Sequence, residues 1–527
     1  MKSFSLYISL ILIFLLTNCS NNSKPIKKPN IIFILADDLG AKDLSFTGSK
    51  FYETPNIDAI ASQGTVFTNG YATCQVCSPS RASIMTGQYT TRHGITDWIG
   101  AQTGEKWGNS QNTKLLPPDY NYAISDDNIT IAKAFKVGGY STFFAGKWHL
   151  GKEPNSPQKY GFDINIGGWE VGNPKGGYYA PWDNPKLNYI KEGENLTLRL
   201  AKETANYIEQ NKNKPFFAFL SFYAVHTPLQ TSEEKWKKYR DKAVSKGVVE
   251  NGFKEERLLP VATSQDNPIY GGLVETMDDA VGIVTKKLKE LDLDKNTIIV
   301  FTSDNGGLVS SRYGAYATSN LPFRAGKGYQ FEGGIREPYF IKAPMIDAEK
   351  TIDIPVSGID FYPTLLSIAN IELPKNQVVD GKDLSSVLKG ETMVSRPLFW
   401  HYPHYGNQGG EPVSIIREDD WKLIYYWEDN HKELYNLMND VSETTNVLEE
   451  NQQKAKELEQ KLMNFLIEAN AKIPTINPNY DEVKAMTTIK RRKEIQLKNL
   501  EKRRQELLKA DYNPNNNWFD SGLLTKD

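Results

Sequence analysis

Four apolar runs, each stopping abruptly at charged or amide side chains, set the strongest limit on how this chain can fold. Asn30-Ile31-Ile32-Phe33-Ile34-Leu35-Ala36 runs into Asp37-Asp38-Leu39-Gly40. Ser141-Thr142-Phe143-Phe144-Ala145 leads to Gly146-Lys147-Trp148-His149, and residues 215–225 lead to His226-Thr227-Pro228. Thr297-Ile298-Ile299-Val300-Phe301 is followed closely by Asp304-Asn305-Gly306-Gly307. An apolar run without alternation reads as a strand buried on both faces, as in a parallel sheet covered by helices. Helical patterns lie between the runs, at 130–137 and 274–291. The expected fold is α/β, with a large central mostly parallel sheet flanked by helices. Ligands of such sheets bind beyond the carboxyl ends of the strands, so the four polar clusters are expected to share one pocket.

Cys77-Ser78-Pro79-Ser80-Arg81, continuing to Thr86-Gly87, reads as a helix. Ser78 suits the N-cap, Pro79 the first helical position and Gly87 the closing position. The free N–H groups of its first turn, beside Arg81, favour an anion. Cys74 and Cys77 also have CxxC spacing, open to a redox role. A structural zinc site takes four ligands, and the third cysteine, Cys19, lies in a leader. Asp37, Asp38, Asp304 and Asn305 form an all-oxygen set suited to Ca²⁺ or Mg²⁺. For one such pair alone, a helix cap or turn would be the simpler reading. Of six histidines, His149 and His226 fall in the strand-end clusters, where a near-neutral pKa suits proton transfer. His93, in the turn-like Arg92-His93-Gly94, reads as structural or as a residue supporting the site from behind.

The segment from Cys77 to Gly87 resembles the signature of type I sulfatases, members of the alkaline phosphatase superfamily. Gly139-Tyr140-Ser141-Thr142 through Lys147-Trp148-His149 resembles their second signature. Arg324-Ala325-Gly326-Lys327-Gly328 and Glu332-Gly333-Gly334-Ile335-Arg336-Glu337-Pro338 are similar too, with Glu337 where a hydrophobic residue is usual. The resemblance covers roughly residues 29–470 and implies an alkaline-phosphatase-like fold. It implies that a separate maturing enzyme oxidises Cys77 to Cα-formylglycine (3-oxoalanine), whose hydrated aldehyde is the nucleophile. Asp37, Asp38, Asp304, Asn305 and position 77 would hold one Ca²⁺, with Asp304 also placed to take the nucleophile's proton. Arg81, Lys147 and Lys327 would clamp the sulfate. His226, with Lys327, would protonate the departing alcohol, and His149 would deprotonate the remaining hydroxyl. The expected function is hydrolysis of sulfate monoesters on a sulfated polysaccharide or oligosaccharide. Ulvan, carrageenan and glycosaminoglycans are the candidate classes. Some phosphonate and phosphate ester hydrolases share the signature cysteine and stand as a rival. An inactive glycan-binding lipoprotein is a second rival, against which the full set of charged site residues speaks.

The remaining expectations concern the ends of the chain. The apolar run at 6–16, after Lys2, is shorter than the roughly 20 residues that span a bilayer and fits an export signal. Leu16-Thr17-Asn18-Cys19 resembles a bacterial lipoprotein box, with Asn18 departing from the usual small residue. Cys19 would then carry lipid, residues 20–28 would be a tether, and the protein would sit in the periplasm or at the outer membrane. A net charge of −2 gives no basic field for nucleic acid, and the membrane is expected to be met only through the anchor. The catalytic domain is placed at 29–390. A small α+β subdomain with a four-stranded antiparallel sheet follows at 391–473, then a linker and a charged, solvated or oligomer-forming helix at 474–527. His401, Tyr402, His404 and Gln408 are candidate sugar contacts, offering rings for stacking and polar tips for hydroxyls. The alternative is a loop whose aromatics seal the domain junction.

Overall fold

The computed structural model describes residues 28–346 and 350–512. The leader with Cys19, tether residues 20–27 and the tail after 512 lie outside them. A mixed eight-stranded sheet is built from β1 (Asn30–Ala36), β2 (Thr65–Phe67), β3 (Ser141–Gly146), β4 (Ile164–Ile166), β5 (Phe216–Ser221), β6 (Thr297–Ser303), β7 (Tyr339–Lys342) and β8 (Lys350–Ile352). Their spatial order is β8-β2-β7-β6-β1-β5-β3-β4. The four runs expected as strands are thus consecutive parallel neighbours. The expectation of a mostly parallel sheet needs one qualification: β7 pairs antiparallel with both β6 and β2.

Period-two alternation divides β1 between two cores. Ile32, Ile34 and Ala36 pack with Leu200 of α2 (Leu196–Gln210) and Leu273 and Met277 of α3 (Pro268–Glu290). Ile31, Phe33 and Leu35 face α1 (Cys77–Thr86) and α4 (Phe361–Ile368). Phe33 stacks on Phe219 at 4.6 Å and meets Phe361 edge-on at 5.0 Å. Burial on both faces explains the absence of polar alternation in the sequence.

Four antiparallel strands follow, β9 (Leu398–Tyr402), β10 (Val413–Glu418), β11 (Trp421–Tyr426) and β12 (Lys432–Asn436). One face of this second sheet packs Trp400 and Ile415 against Tyr71 and Val76. The other packs Ile416 and Leu423 against Leu458 and Leu462 of α5 (Gln452–Glu468).

The charged C-terminal helix α6 (Glu482–Leu507) is not simply solvated, as expected from its composition. Leu500 and Leu507 pack with Trp236, Phe253 and Tyr316. Arg504, only 1% exposed, donates from Nε to Asp266 at 2.7 Å. Ahead of the helix, Thr475–Ile476 pairs with Leu115–Leu116, tying the extension to the catalytic side. No helix among the described residues is long and apolar enough to cross a membrane.

Candidate active site

Register aligns the carboxyl ends of the four central strands. Ala36 pairs with Ser303, and Ser221 with both Leu35 and Gly146. The residues that follow therefore project from one rim. At the end of β3 the chain turns sharply at Gly146 (φ 102°), where a Cβ would lie 1.8 Å from the Ser221 carbonyl oxygen. Asp38 (φ 63°) and His149 (φ 52°) adopt left-handed backbone, which costs on the order of 1–3 kcal/mol each and marks functional sites.

The buried charges are matched pairwise. Lys147 Nζ donates to both Asp37 oxygens at 2.9 and 2.7 Å. Lys327 Nζ donates to Asp38 Oδ2 at 2.7 Å, and Arg81 Nε to Asp304 Oδ2 at 2.7 Å. Arg81 Nη2 lies 3.5 Å from Asp37 Oδ1 and makes no hydrogen bond. Burial would raise the Asp38 pKa, yet Lys327 and His226 hold it well below the usual carboxylate range. Asp304 is likewise lowered, burial being outweighed by Arg81 and Lys147, which makes it a poor proton acceptor. Asp37 goes the other way: its burial exceeds the pull of Lys147, and Asp304 adds repulsion.

This donor set fits a hard cation. Oxygen atoms of Asp37, Asp38 and Asp304 lie within 4.8 Å of one another. The Asn305 Oδ1 atom beside them is buried without a hydrogen-bond partner, while its Nδ2 donates to Asp38 Oδ1 at 2.8 Å. All the atoms are oxygens, as Ca²⁺ and Mg²⁺ prefer.

Cys77 is the first residue of α1, with Val76 in the N-cap position. Ser78, expected there, instead donates from Oγ to the His149 carbonyl at 3.0 Å and accepts from Ile99 N at 3.1 Å. Gly87 closes the helix in left-handed geometry, as expected. His149 Nε2 lies 3.2 Å from the Ile99 carbonyl, an acceptor only, so Nε2 carries the hydrogen. Its bare Nδ1 lies 3.4 Å from Cys77 Sγ and 3.2 Å from Ser78 Oγ. Burial, with Lys147 and Arg81, lowers the His149 pKa far enough to keep the ring neutral. His226 Nδ1 lies 2.6 Å from the Thr227 carbonyl, and Nε2 is 3.6 Å from Asp38 Oδ2. Burial, then Lys327, pushes its pKa down to about 3.

Above these groups opens a cavity of about 400 Å³, whose wall includes Cys77, His149, His226, Lys327 and Gln408. The Lys327 ammonium on this wall suits an oxyanion, and the two neutral imidazoles beside it offer proton-accepting nitrogens near Cys77.

The sulfatase family model matches residues 29–371. The chain belongs to the sulfatase family. As a sulfatase it hydrolyses sulfate esters. A second model, the C-terminal region of N-sulphoglucosamine sulphohydrolase, matches residues 325–472. A sulfatase of Formosa agariphila is 34% identical over 89% of this chain and 95% of its own. Human N-acetylgalactosamine-6-sulfatase is 30% identical over 71% of this chain and 68% of its own. The crystal structure of Ps i-CgsB in complex with k-i-k-neocarrahexaose superposes with a TM-score of 0.67 at 28% identity, covering 87% of this sulfatase and 96% of that chain.

The structure brings together Asp37, Asp38, Cys77, Arg81, Lys147, His149, His226, Asp304, Asn305 and Lys327. Arg81 and Lys147, 2% and 0% exposed, lie beneath the cavity and not on its wall. Gln408 lies on the wall as expected, but three other proposed sugar contacts do not. His401 is sealed between Ser414 Oγ (2.7 Å) and the Lys472 carbonyl (3.0 Å). His404 Nε2 is 2.8 Å from Thr96 Oγ1, and Tyr402 donates to Asp97 Oδ1 at 3.2 Å. The tips of Tyr402 and His404 satisfy buried partners across the junction with the second sheet, those of His401 partners within the second subdomain, and this burial removes all three from solvent. His93, bonded to Ser83 Oγ at 3.0 Å, is structural.

Sequence reasoning missed Trp98, Ile99, Glu170 and Asn173 on the cavity wall. The one signal for the 169–173 loop is Gly172, where a Cβ would lie 2.4 Å from His149 Cε1. That glycine lets the loop close over the histidine ring.

Proposed function

We propose that this enzyme removes sulfate from a sulfated polysaccharide or oligosaccharide, with the side chain at position 77 as nucleophile. The observation that carries this reading is the bare His149 Nδ1 aimed at Cys77 Sγ within a cavity large enough for a sugar. The neocarrahexaose complex of Ps i-CgsB and the N-acetylgalactosamine-6-sulfatases support a glycan of the carrageenan or glycosaminoglycan kind. Ulvan remains a third candidate class.

Asp37, Asp38, Asp304 and Asn305, with position 77, would hold Ca²⁺, which supplies positive charge that favours an ionised nucleophile. Formylglycine made from Cys77 by a maturing enzyme supplies the nucleophilic hydroxyl. Lys327 on the wall and the spare Nη2 of Arg81 below it bind sulfate oxygens, while Lys147 adds its charge from beneath. A single preorganised donor of this type is worth about 10²–10³ in turnover. Charge gathered on a bound sulfate raises the proton affinity of His226. Its Nε2 then protonates the departing sugar oxygen as the sulfur–oxygen bond breaks, with Lys327 assisting. His149 Nδ1 would take the proton of the second hydroxyl at position 77, so that the carbon–oxygen bond to the transferred sulfate breaks, inorganic sulfate leaves and the aldehyde returns, while Gln408 orients the sugar.

Sulfate release should be followed from carrageenan, ulvan and glycosaminoglycan oligosaccharides, beside a matched aryl sulfate and aryl phosphate. We expect release from at least one glycan, lost on chelation and restored by Ca²⁺. No release from any glycan, with aryl phosphate the faster aryl ester, would favour the phosphate or phosphonate reading. Export and lipidation at Cys19 complete the proposal. Cys19→Ala should move the protein from the membrane fraction to the soluble one, and an unchanged distribution would remove the anchor.

A further inference from the structure

A second cavity, of about 310 Å³, lies between α6 and the catalytic side of the molecule. Arg312 and Arg492 both line it. Arg312 Nη1 donates to the neutral Gln111 Oε1 at 2.7 Å. Among the described residues neither guanidinium has a carboxylate partner, although the chain is otherwise rich in ion pairs. Two acidic side chains share the wall, but both are engaged elsewhere. Glu411 holds Arg257 at 2.5 Å, and Glu428 accepts from the Tyr405 hydroxyl. Burial, with the neighbouring charge of Arg492, lowers the Arg312 pKa, and burial alone lowers that of Arg492. Two half-buried like charges with no carboxylate within ion-pair distance are a cost that an anion bound between them relieves.

The position of this cavity gives the anion an origin. The backbone N–H of Arg312 donates to the Asn407 carbonyl at 2.7 Å. Asn407 and Gln408 line the catalytic cavity, whereas Tyr405, Gly410 and Glu411 of the same loop line the second one. One short loop therefore divides the two. The far wall, including Arg492, comes from α6, which begins at Glu482, beyond the last residue matched by the family models, 472.

We propose that Arg312 and Arg492 form an anion subsite that takes a sulfate ester on a neighbouring sugar of the polymer whose scissile sulfate occupies the catalytic cavity. This rests on the sulfated-glycan reading above. Guanidinium forks match tetrahedral oxyanions through paired N–H···O bonds. Holding a chain at two points raises the local concentration of its reacting group without new chemistry. The site therefore selects densely sulfated chains over sparsely sulfated ones.

The test is Arg492→Gln, at a half-buried position of α6 where no ion-pair partner is lost, with Arg312→Gln beside it. Sucrose octasulfate is the binding probe, measured by calorimetry at low and high salt; 4-nitrophenyl sulfate, small enough for the catalytic cavity alone, reports basal turnover. We expect Arg492→Gln to weaken sucrose octasulfate about tenfold and to flatten its salt dependence. Turnover of 4-nitrophenyl sulfate should stay within about twofold. Wild-type protein that does not bind the probe, or an affinity unchanged by Arg492→Gln, would overturn the subsite. So would an equal loss of aryl sulfate turnover, which would mark a structural role. Arginine-dependent binding by a wild type inactive on every sulfate ester would keep the subsite and sink the glycan-sulfatase reading. If Arg312→Gln does not fold, Arg492→Gln decides alone.

Discussion

Cys77→Ala is expected to lower sulfate-ester turnover by at least about 10⁴-fold while leaving the fold intact, since removing a covalent nucleophile costs as much as removing the whole catalytic unit. The second half of that expectation comes from packing. Cys77 is 4% exposed, and its Sγ contacts His149 Nδ1. Alanine keeps the helix start, removes one polarizable atom and strands no buried charge. The three carboxylate–cation pairs below are untouched, so the melting temperature should barely move. Cys74 cannot take over. It is 1% exposed, and burial raises its thiol pKa above the ordinary value. Aryl sulfate hydrolysis, with the mass of the peptide containing position 77 and a thermal melt, makes the measurement. Turnover within about tenfold of wild type would sink the assignment of position 77 as nucleophile.

The central strands and the site at their ends were legible because both obey local rules. A seven-residue, Ile-rich apolar run that stops at turn residues fits a strand covered on both faces, and β1 falls at Asn30–Ala36 as read. Strand-end aspartates gather because parallel registers align strand ends, which requires no long-range information. The reversed strand beyond β6 was not legible. Tyr339–Lys342 is four residues long and its neighbour Thr65–Phe67 three, too short to show a period. The docking stripe of α6 was hidden by its own chemistry. Gln496, Leu500, Arg504 and Leu507 have helical spacing, but half of the buried stripe is polar. Arg504 is buried with Glu501 of its own helix and with two distant partners, Asp266 and the Val249 carbonyl, each more than 200 positions away. Tyr402 and His404 failed for a related reason. A polar tip on an aromatic ring serves a sugar hydroxyl or a buried carboxylate equally well, and the choice is made by Thr96 and Asp97 across the junction. Trp98 and Glu170 sit in loops whose course depends on tertiary contacts.

His226→Ala should separate protonation of the leaving group from binding of the sulfate. His226 and Lys327 both approach Asp38 Oδ2, at 3.6 and 2.7 Å, and both line the cavity. Either could meet a departing oxygen, but their proton affinities differ. Asp38 raises the Lys327 pKa despite its burial, so the ammonium holds its proton tightly and serves mainly as a positive charge. His226 is neutral in the free site and gains a proton as the anion binds, which suits transfer within the reaction. A sugar alkoxide is far more basic than a nitrophenolate and needs that proton far more. We therefore expect His226→Ala to lower turnover of an unactivated sugar sulfate by about 10²–10⁴-fold. Loss with 4-nitrophenyl sulfate should stay below about tenfold, because that leaving group departs without help. Equal losses on both substrates would recast His226 as a sulfate-binding group, and an unchanged rate on the sugar sulfate would pass the general-acid role to Lys327. Removing His226 also takes one neighbour from Asp38, but Lys327 and the Asn305 amide continue to hold that carboxylate, so the variant should fold and its kinetics report chemistry.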